Sequence, residues 1–130
     1  MVQALVSKKL ISPKFKYSQL VKAGPNYYCS GLIALDNESG ELIAGGTGIE
    51  TEKILQNLKI LMDEFNFGWE HLAFARVFTS DFDNFPAFNA AWESLFNSLD
   101  TPPPARSSVG VNALPLAASI EIEFTFYREE

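Results

Sequence analysis

The chain holds one cysteine, Cys29, and one histidine, His71. A single cysteine cannot close a disulfide within the chain, and neither residue has the companions needed for a Cys- or His-based metal site. Basic residues are also scarce: ten Lys and Arg stand against sixteen Asp and Glu, for a net charge of −6. Nucleic-acid binders gain affinity by neutralising phosphates and show a basic footprint. An acidic surface with scattered Lys and Arg argues against RNA or DNA as a partner. No apolar run approaches the roughly 18 residues that span a membrane. The first nine residues lack the long apolar stretch and small-residue cleavage site of a signal peptide. Together these absences lead us to expect a soluble, cytoplasmic protein with no membrane partner.

What is present suits one packed domain over residues 1–130. Hydrophobic residues make up 47% and charged residues 20%, close to globular averages, so a core is expected rather than disorder. Eleven Phe make that core bulky. No repeat, low-complexity tract or long linker divides the chain.

Asn26-Tyr-Tyr-Cys-Ser-Gly-Leu-Ile-Ala-Leu35 is rich in aromatic and β-branched residues and runs into Asp36-Asn-Glu-Ser-Gly40, a strand followed by a turn. Tyr17 to Ala23 reads as its hairpin partner across Gly24-Pro25. A helix follows Thr47, which has the spacing of a capping box with Glu50. Ile54, Leu58, Leu61, Met62 and Phe65 fall on one face of it, and Gly68 marks its end. Ala73 to Thr79 is a strand. A second helix begins near Asp83 or Asn84, with Pro86 in its first turn and Phe88, Trp92, Leu95, Phe96 and Leu99 as its stripe. Thr101-Pro-Pro-Pro104 must be extended or turned. Arg106 to Val111 and Ile120 to Tyr127 are the closing strands.

Strands, helix, strand, helix, strands is an α+β order with both helices on one sheet face. In the last strand Ile120, Ile122, Phe124 and Phe126 alternate with Glu121, Glu123, Thr125 and Tyr127. The Ile/Phe face must meet the helices, so both glutamates point away from them. Tyr28, Leu32, Ala34, Phe74 and Phe78 add more apolar area than one helical layer needs, which suggests self-association through the other face.

Pro104-Ala-Arg-Ser-Ser-Val-Gly-Val-Asn-Ala-Leu-Pro115, followed by Ile120-Glu-Ile-Glu123, resembles the C-terminal signature of the YjgF/RidA family. Tyr17-Ser-Gln19, Ser30-Gly31, Gln56-Asn57-Leu58 and Phe88-Asn89 with Trp92 follow the same family's order and spacing. The resemblance implies a chorismate-mutase-like α+β fold assembled as a homotrimer, with the sheets lining a central barrel. It implies three clefts between neighbouring subunits, and hydrolytic deamination of enamines and imines derived from Ser, Thr and related amino acids. Ammonia and a 2-keto acid would be the products, and no metal or organic cofactor would be used. Two departures stand out: Phe15-Lys16 precedes Tyr17 where the family usually has Gly-Pro, and Ser108 stands where a cysteine is common.

Hydrolysis of a 2-imino acid requires holding its carboxylate, placing water against the C=N carbon, and moving protons to departing ammonia. Arg106 suits the first task, since its planar fork binds carboxylate through two parallel hydrogen bonds. By the resemblance Glu121 positions the water, with Glu123 as runner-up on the same face; such a group contributes ~10²–10⁴ in rate. Tyr17 can close over the substrate. Ser30 and Gly31 can offer main chain to the imine nitrogen, because glycine permits close approach. Asn89 and Ser108 complete the candidate binding set. Each also has an ordinary structural role open to it: a salt bridge for Arg106, a solvated strand position for Glu121. His71 belongs to no Ser–His–acid arrangement. Gly45-Gly-Thr-Gly48 lacks the Gly-Lys-Ser/Thr ending of a phosphate loop. Two other readings stay open on sequence: a non-catalytic module that binds keto acids, and a ribonuclease or translation inhibitor, against which the charge counts.

Overall fold

The computed structural model describes residues 1–129. Six strands form one mixed sheet: β1 (Gln3–Leu5), β2 (Leu20–Ala23), β3 (Asn26–Leu32), β4 (Leu72–Thr79), β5 (Ala105–Gly110) and β6 (Ile120–Tyr127). Their spatial order is β1-β2-β3-β6-β4-β5. Helices α1 (Gly46–Glu64) and α2 (Phe85–Phe96) pack on one face. The β4–β5 pair is parallel and the other pairs are antiparallel. A parallel pair needs a crossover, and α2 supplies it between β4 and β5. The fold is α+β, with the last strand inserted between β3 and β4.

The alternation of β6 explains its central place. Ile120, Ile122, Phe124 and Phe126 are at most 1% exposed and meet Leu58, Leu61 and Met62 of α1 and Phe88 of α2 in the core. Truncating one such side chain to Ala costs about 2–5 kcal/mol, so this face alone dictates the register of the sheet. Glu121 and Glu123 lie on the opposite face, as the alternation requires. That face also carries Phe74, Phe78, Tyr28 and Val109; Tyr28 and Val109 are 49% and 48% exposed, with no helix above them.

The structure departs from the sequence reading in several places, and β3 ends at Leu32 rather than Leu35. No capping box forms at Thr47 and Glu50; α1 starts at Gly46 with Gly45 as N-cap and no side-chain cap. Gly45 and Gly46 have φ of 133° and 83°, which only glycine adopts freely, so the glycine run turns the chain into the helix. Glu50 turns inward to Ser119 instead and accepts two hydrogen bonds from it. At about 1 kcal/mol each, these outweigh a cap worth a similar amount only once. Helix α1 also stops before Gly68, at Glu64. Asn66 takes the left-handed conformation, and Arg128 donates to the carbonyls of Phe65 and Asn66. The strand expected from Tyr17 shrinks to Leu20–Ala23, because the carbonyls of Ser18 and Gln19 are taken by Ser30 beyond the β2–β3 ladder. Strand β1, three residues long, carried too little pattern to be seen.

Candidate active site

The candidate residues fall into two groups on opposite faces of the sheet. Arg106 pairs across the ladder with Ala75, which is fully buried on the helix face, so the arginine rises on that side at the sheet's edge. There α2 presents a stack of rings, Phe85, Phe88, Trp92 and Phe96, with centroids 4.6–5.6 Å apart. The Arg106 guanidinium lies 5.2 Å from the Phe88 ring centre and 5.3 Å from that of Trp92. Each such contact is worth roughly 0.5–1 kcal/mol when exposed. Its Nη2 donates to Asn89 Oδ1 at 2.9 Å. The fork is thus held flat by rings and steered by one amide, while the residue stays exposed to an incoming anion. Desolvation by the rings lowers its pKa and Glu93 opposes this, yet a guanidinium remains charged at any working pH. Ser108, two residues on and on the same face, has a buried Oγ with no hydrogen-bond partner among the described residues.

The second group surrounds Glu121. Its carboxylate stands over Gly31 on β3, so closely that a Cβ there would lie 2.7 Å from Oε2 and 2.8 Å from Cδ. Gly31 sits in a bulge, where β3 and β6 slip register between Cys29 and Leu32. Burial raises the pKa of Glu121 first, and the neighbouring charge of Glu123 raises it further. Glu121 makes no hydrogen bond or ion pair among the described residues, whereas Glu123 is occupied by Arg76 at 3.3 Å. Of the two glutamates, geometry leaves Glu121 free to meet a ligand.

Glu121, Gly31, Ser30 and Tyr17 line one cavity of about 720 Å³. The hydroxyl of Ser30 is already used, donating to the Ser18 carbonyl at 2.6 Å, and its N–H donates to Gln19. Its side chain therefore anchors the loop that carries Tyr17. Tyr17 is 53% exposed at the mouth, beside Phe15 at 83%. Leu116 closes another wall; it and Ala117 have φ of 56° and 58°, in the left-handed region that L residues seldom enter. Strain of this kind concentrates at ligand sites. Nothing in the sequence announced Leu116, since a left-handed leucine has no compositional signal. Further in, Asn57 donates to the Leu35 carbonyl and accepts from Asn37, tying α1 to the cavity wall.

Arg106, Asn89 and Ser108 do not line this cavity. From the register, the Arg106 and Glu121 backbones are two strands and three residues apart, roughly 14 Å, with side chains on opposite faces. A small imino acid cannot touch both within one chain. His71 accepts the Gly68 N–H on Nδ1 at 2.9 Å and packs on Phe67, a structural use. Cys29 is buried, and burial pushes its thiol up to about 12, so it stays protonated at neutral pH. No group of three His, Cys, Asp or Glu among the described residues converges closely enough to hold a metal ion.

Comparison with known proteins finds relatives over nearly the whole chain. The profile of the family described as Endoribonuclease L-PSP matches residues 7–127. A RutC family protein of Sulfurisphaera tokodaii is 33% identical over 121 residues, spanning 93% of this chain and 94% of its own. The 2-iminobutanoate/2-iminopropanoate deaminase of Dermatophagoides farinae is 34% identical over 107 residues, spanning 82% and 81%. The crystal structure of the YjgF gene product of E. coli superposes with a TM-score of 0.88 at 27% identity, spanning 98% of this chain and 99% of that one.

Proposed function

Since this chain belongs to the YjgF/RidA family, we propose that it hydrolyses reactive 2-imino acids and their enamine tautomers, in clefts completed by a second copy of itself. The observation that carries this reading is the split of the candidate residues: a preorganised Arg106 on one face, and on the other a half-desolvated Glu121 in a cavity, with no partner among the described residues. Each is one half of the chemistry, and only association brings halves from two copies together. The uncovered apolar face with Tyr28, Phe74, Phe78 and Val109 supplies a reason to associate, and supports the homotrimer that the family resemblance implies.

In this mechanism the Arg106 fork holds the substrate carboxylate, with the Ser108 hydroxyl as a further donor. Glu121 of the neighbouring copy accepts a hydrogen bond from a water molecule and aims it at the C=N carbon. As the C–O bond forms, the imine π-electrons move to nitrogen. Glu121 takes a proton from the water and returns one to nitrogen. In the resulting carbinolamine Glu121 takes the proton of the new hydroxyl and delivers it to nitrogen, so that the C=O bond forms as the C–N bond breaks, releasing ammonia and leaving the 2-keto acid. A raised pKa suits Glu121, because a stronger base takes the water proton more readily. Tyr17 closes the mouth, and the main chain at Gly31 approaches the imine nitrogen.

The test is ammonia release from freshly generated 2-iminobutanoate and 2-iminopropanoate, with light scattering on the same sample. Release well above spontaneous hydrolysis by a trimer is expected. A protein that binds 2-ketobutyrate but never accelerates release would instead be a binding module, and a monomer at micromolar concentration would remove the shared cleft.

A further inference from the structure

Glu50 is a buried carboxylate that the proposed chemistry leaves unused. It lies inside α1 at 5% exposure. Its Oε1 accepts the Ser119 N–H at 3.0 Å and its Oε2 accepts the Ser119 hydroxyl at 2.9 Å. Thr47, one turn earlier on the helix, donates to the same hydroxyl at 3.2 Å. The Ser119 carbonyl accepts from Thr79 Oγ1 at 2.8 Å and from the Ser80 N–H at 3.1 Å, and Ser80 Oγ donates to the Ala118 carbonyl. Every polar atom of Ser119 is therefore engaged.

Ser119 joins two features of the cleft. Just before it, Leu116 and Ala117 are consecutive left-handed residues, and Leu116 forms a cavity wall. Two residues after it comes Glu121. Consecutive L residues hold this conformation only where their surroundings over-determine it. The hydrogen bonds at Ser119 do so, and of these only the ones from α1 link the turn to the helical layer. A buried carboxylate is a costly means of stabilisation, since apolar groups of equal volume would fill the same space. What it supplies is a set position for Ser119.

Resting on the deaminase reading above, we propose that Glu50 is a positioning residue: through Ser119 it holds the strained Leu116–Ala117 turn against the cleft and sets where Glu121 stands over Gly31. The experiment compares Glu50→Leu, which removes both hydrogen bonds, with Glu50→Gln. The glutamine carbonyl can still accept from the Ser119 N–H, and its NH₂ can donate to a hydroxyl turned the other way. For Glu50→Leu, kcat on fresh 2-iminobutanoate is expected to fall about tenfold with KM within about twofold. Amide exchange at residues 116–119 should quicken about tenfold while α2 and β6 beyond Glu121 keep their rates. Glu50→Gln should return both readouts to within about twofold of the parent.

Unchanged exchange at 116–119 in Glu50→Leu overturns the proposal. So does faster exchange with unchanged kcat, a uniform acceleration across the chain, or a failure of Glu50→Gln to restore. Should Glu50→Leu not fold, Ser119→Ala takes its place in both assays with an effect of about threefold, because only the hydroxyl link is lost. A parent that releases no ammonia defeats the deaminase reading by itself, and the exchange pattern still decides whether Glu50 holds the turn.

Discussion

Arg106 stands at the sheet's edge on a bed of stacked rings, exposed and held by Asn89. Glu121 stands on the opposite face in a cavity, half-desolvated, pressed against a glycine and without a hydrogen-bond partner among the described residues. The arginine half is built from a helix and a strand and needs nothing more to be rigid. The glutamate half depends on loops, a β-bulge and a left-handed turn. A binding group that must meet a substrate in one geometry is well served by the first arrangement. A base that must be desolvated and close to water is well served by the second. The comparison yields four expectations.

The largest effect should come from Glu121→Gln, which keeps shape and removes the base. Turnover should fall by ~10²–10⁴ while calorimetric affinity for 2-ketobutyrate stays nearly constant, as expected of a group that acts in the transition state. Equal loss of affinity would place Glu121 among the binding residues and erase the contrast.

Next comes Arg106→Lys, which retains charge but loses the planar fork. Affinity for 2-ketobutyrate and turnover should both drop about ten- to a hundredfold, the worth of a charge-assisted bidentate contact. The two variants then test whether the halves come from different copies. After unfolding and reassembly at equal amounts, about a quarter of the clefts pair an intact Arg106 with an intact Glu121. Activity should recover to about that fraction of the parent. No recovery would mean that both residues serve one site within one chain.

Gly31→Ala probes the glutamate half alone. The new methyl collides with the movable end of Glu121 rather than with backbone, so the melting temperature should barely change while turnover falls about tenfold. A variant as active as the parent would show that the carboxylate is not used where it stands.

The smallest effect concerns pH. In the proposed mechanism Glu121 must be ionised to act, so activity should fall as pH drops through its pKa, which is raised from the ordinary value for a glutamate. Burial is the main cause of that rise and Glu123 the lesser one. Glu123→Gln removes the like charge and should move the acid limb to lower pH. A limb that moves upward would contradict this assignment of causes.

The sequence by itself determined the layering and much of the strand register. The strict alternation from Ile120 to Tyr127 leaves one face apolar enough to demand helices, which places Glu121 and Glu123 on the other. The stripes on both helices and the spacing of Pro104 to Pro115 with Ile120 to Glu123 were equally legible, because each is a local pattern with a fixed period or order. What only the tertiary structure decided depends on contacts distant in sequence. Glu50 has the spacing of a cap but bonds to Ser119, 69 residues away, since two part-buried hydrogen bonds outweigh one local cap. Glu121 rather than Glu123 is free because Arg76 claims the latter across the sheet. Arg106 and Glu121 read as neighbours in one short motif, yet the register turns them to opposite faces. The physical reason is that side-chain periodicity is carried along the strand, whereas the partner of each side chain is chosen by whichever strand, helix or turn folds beside it.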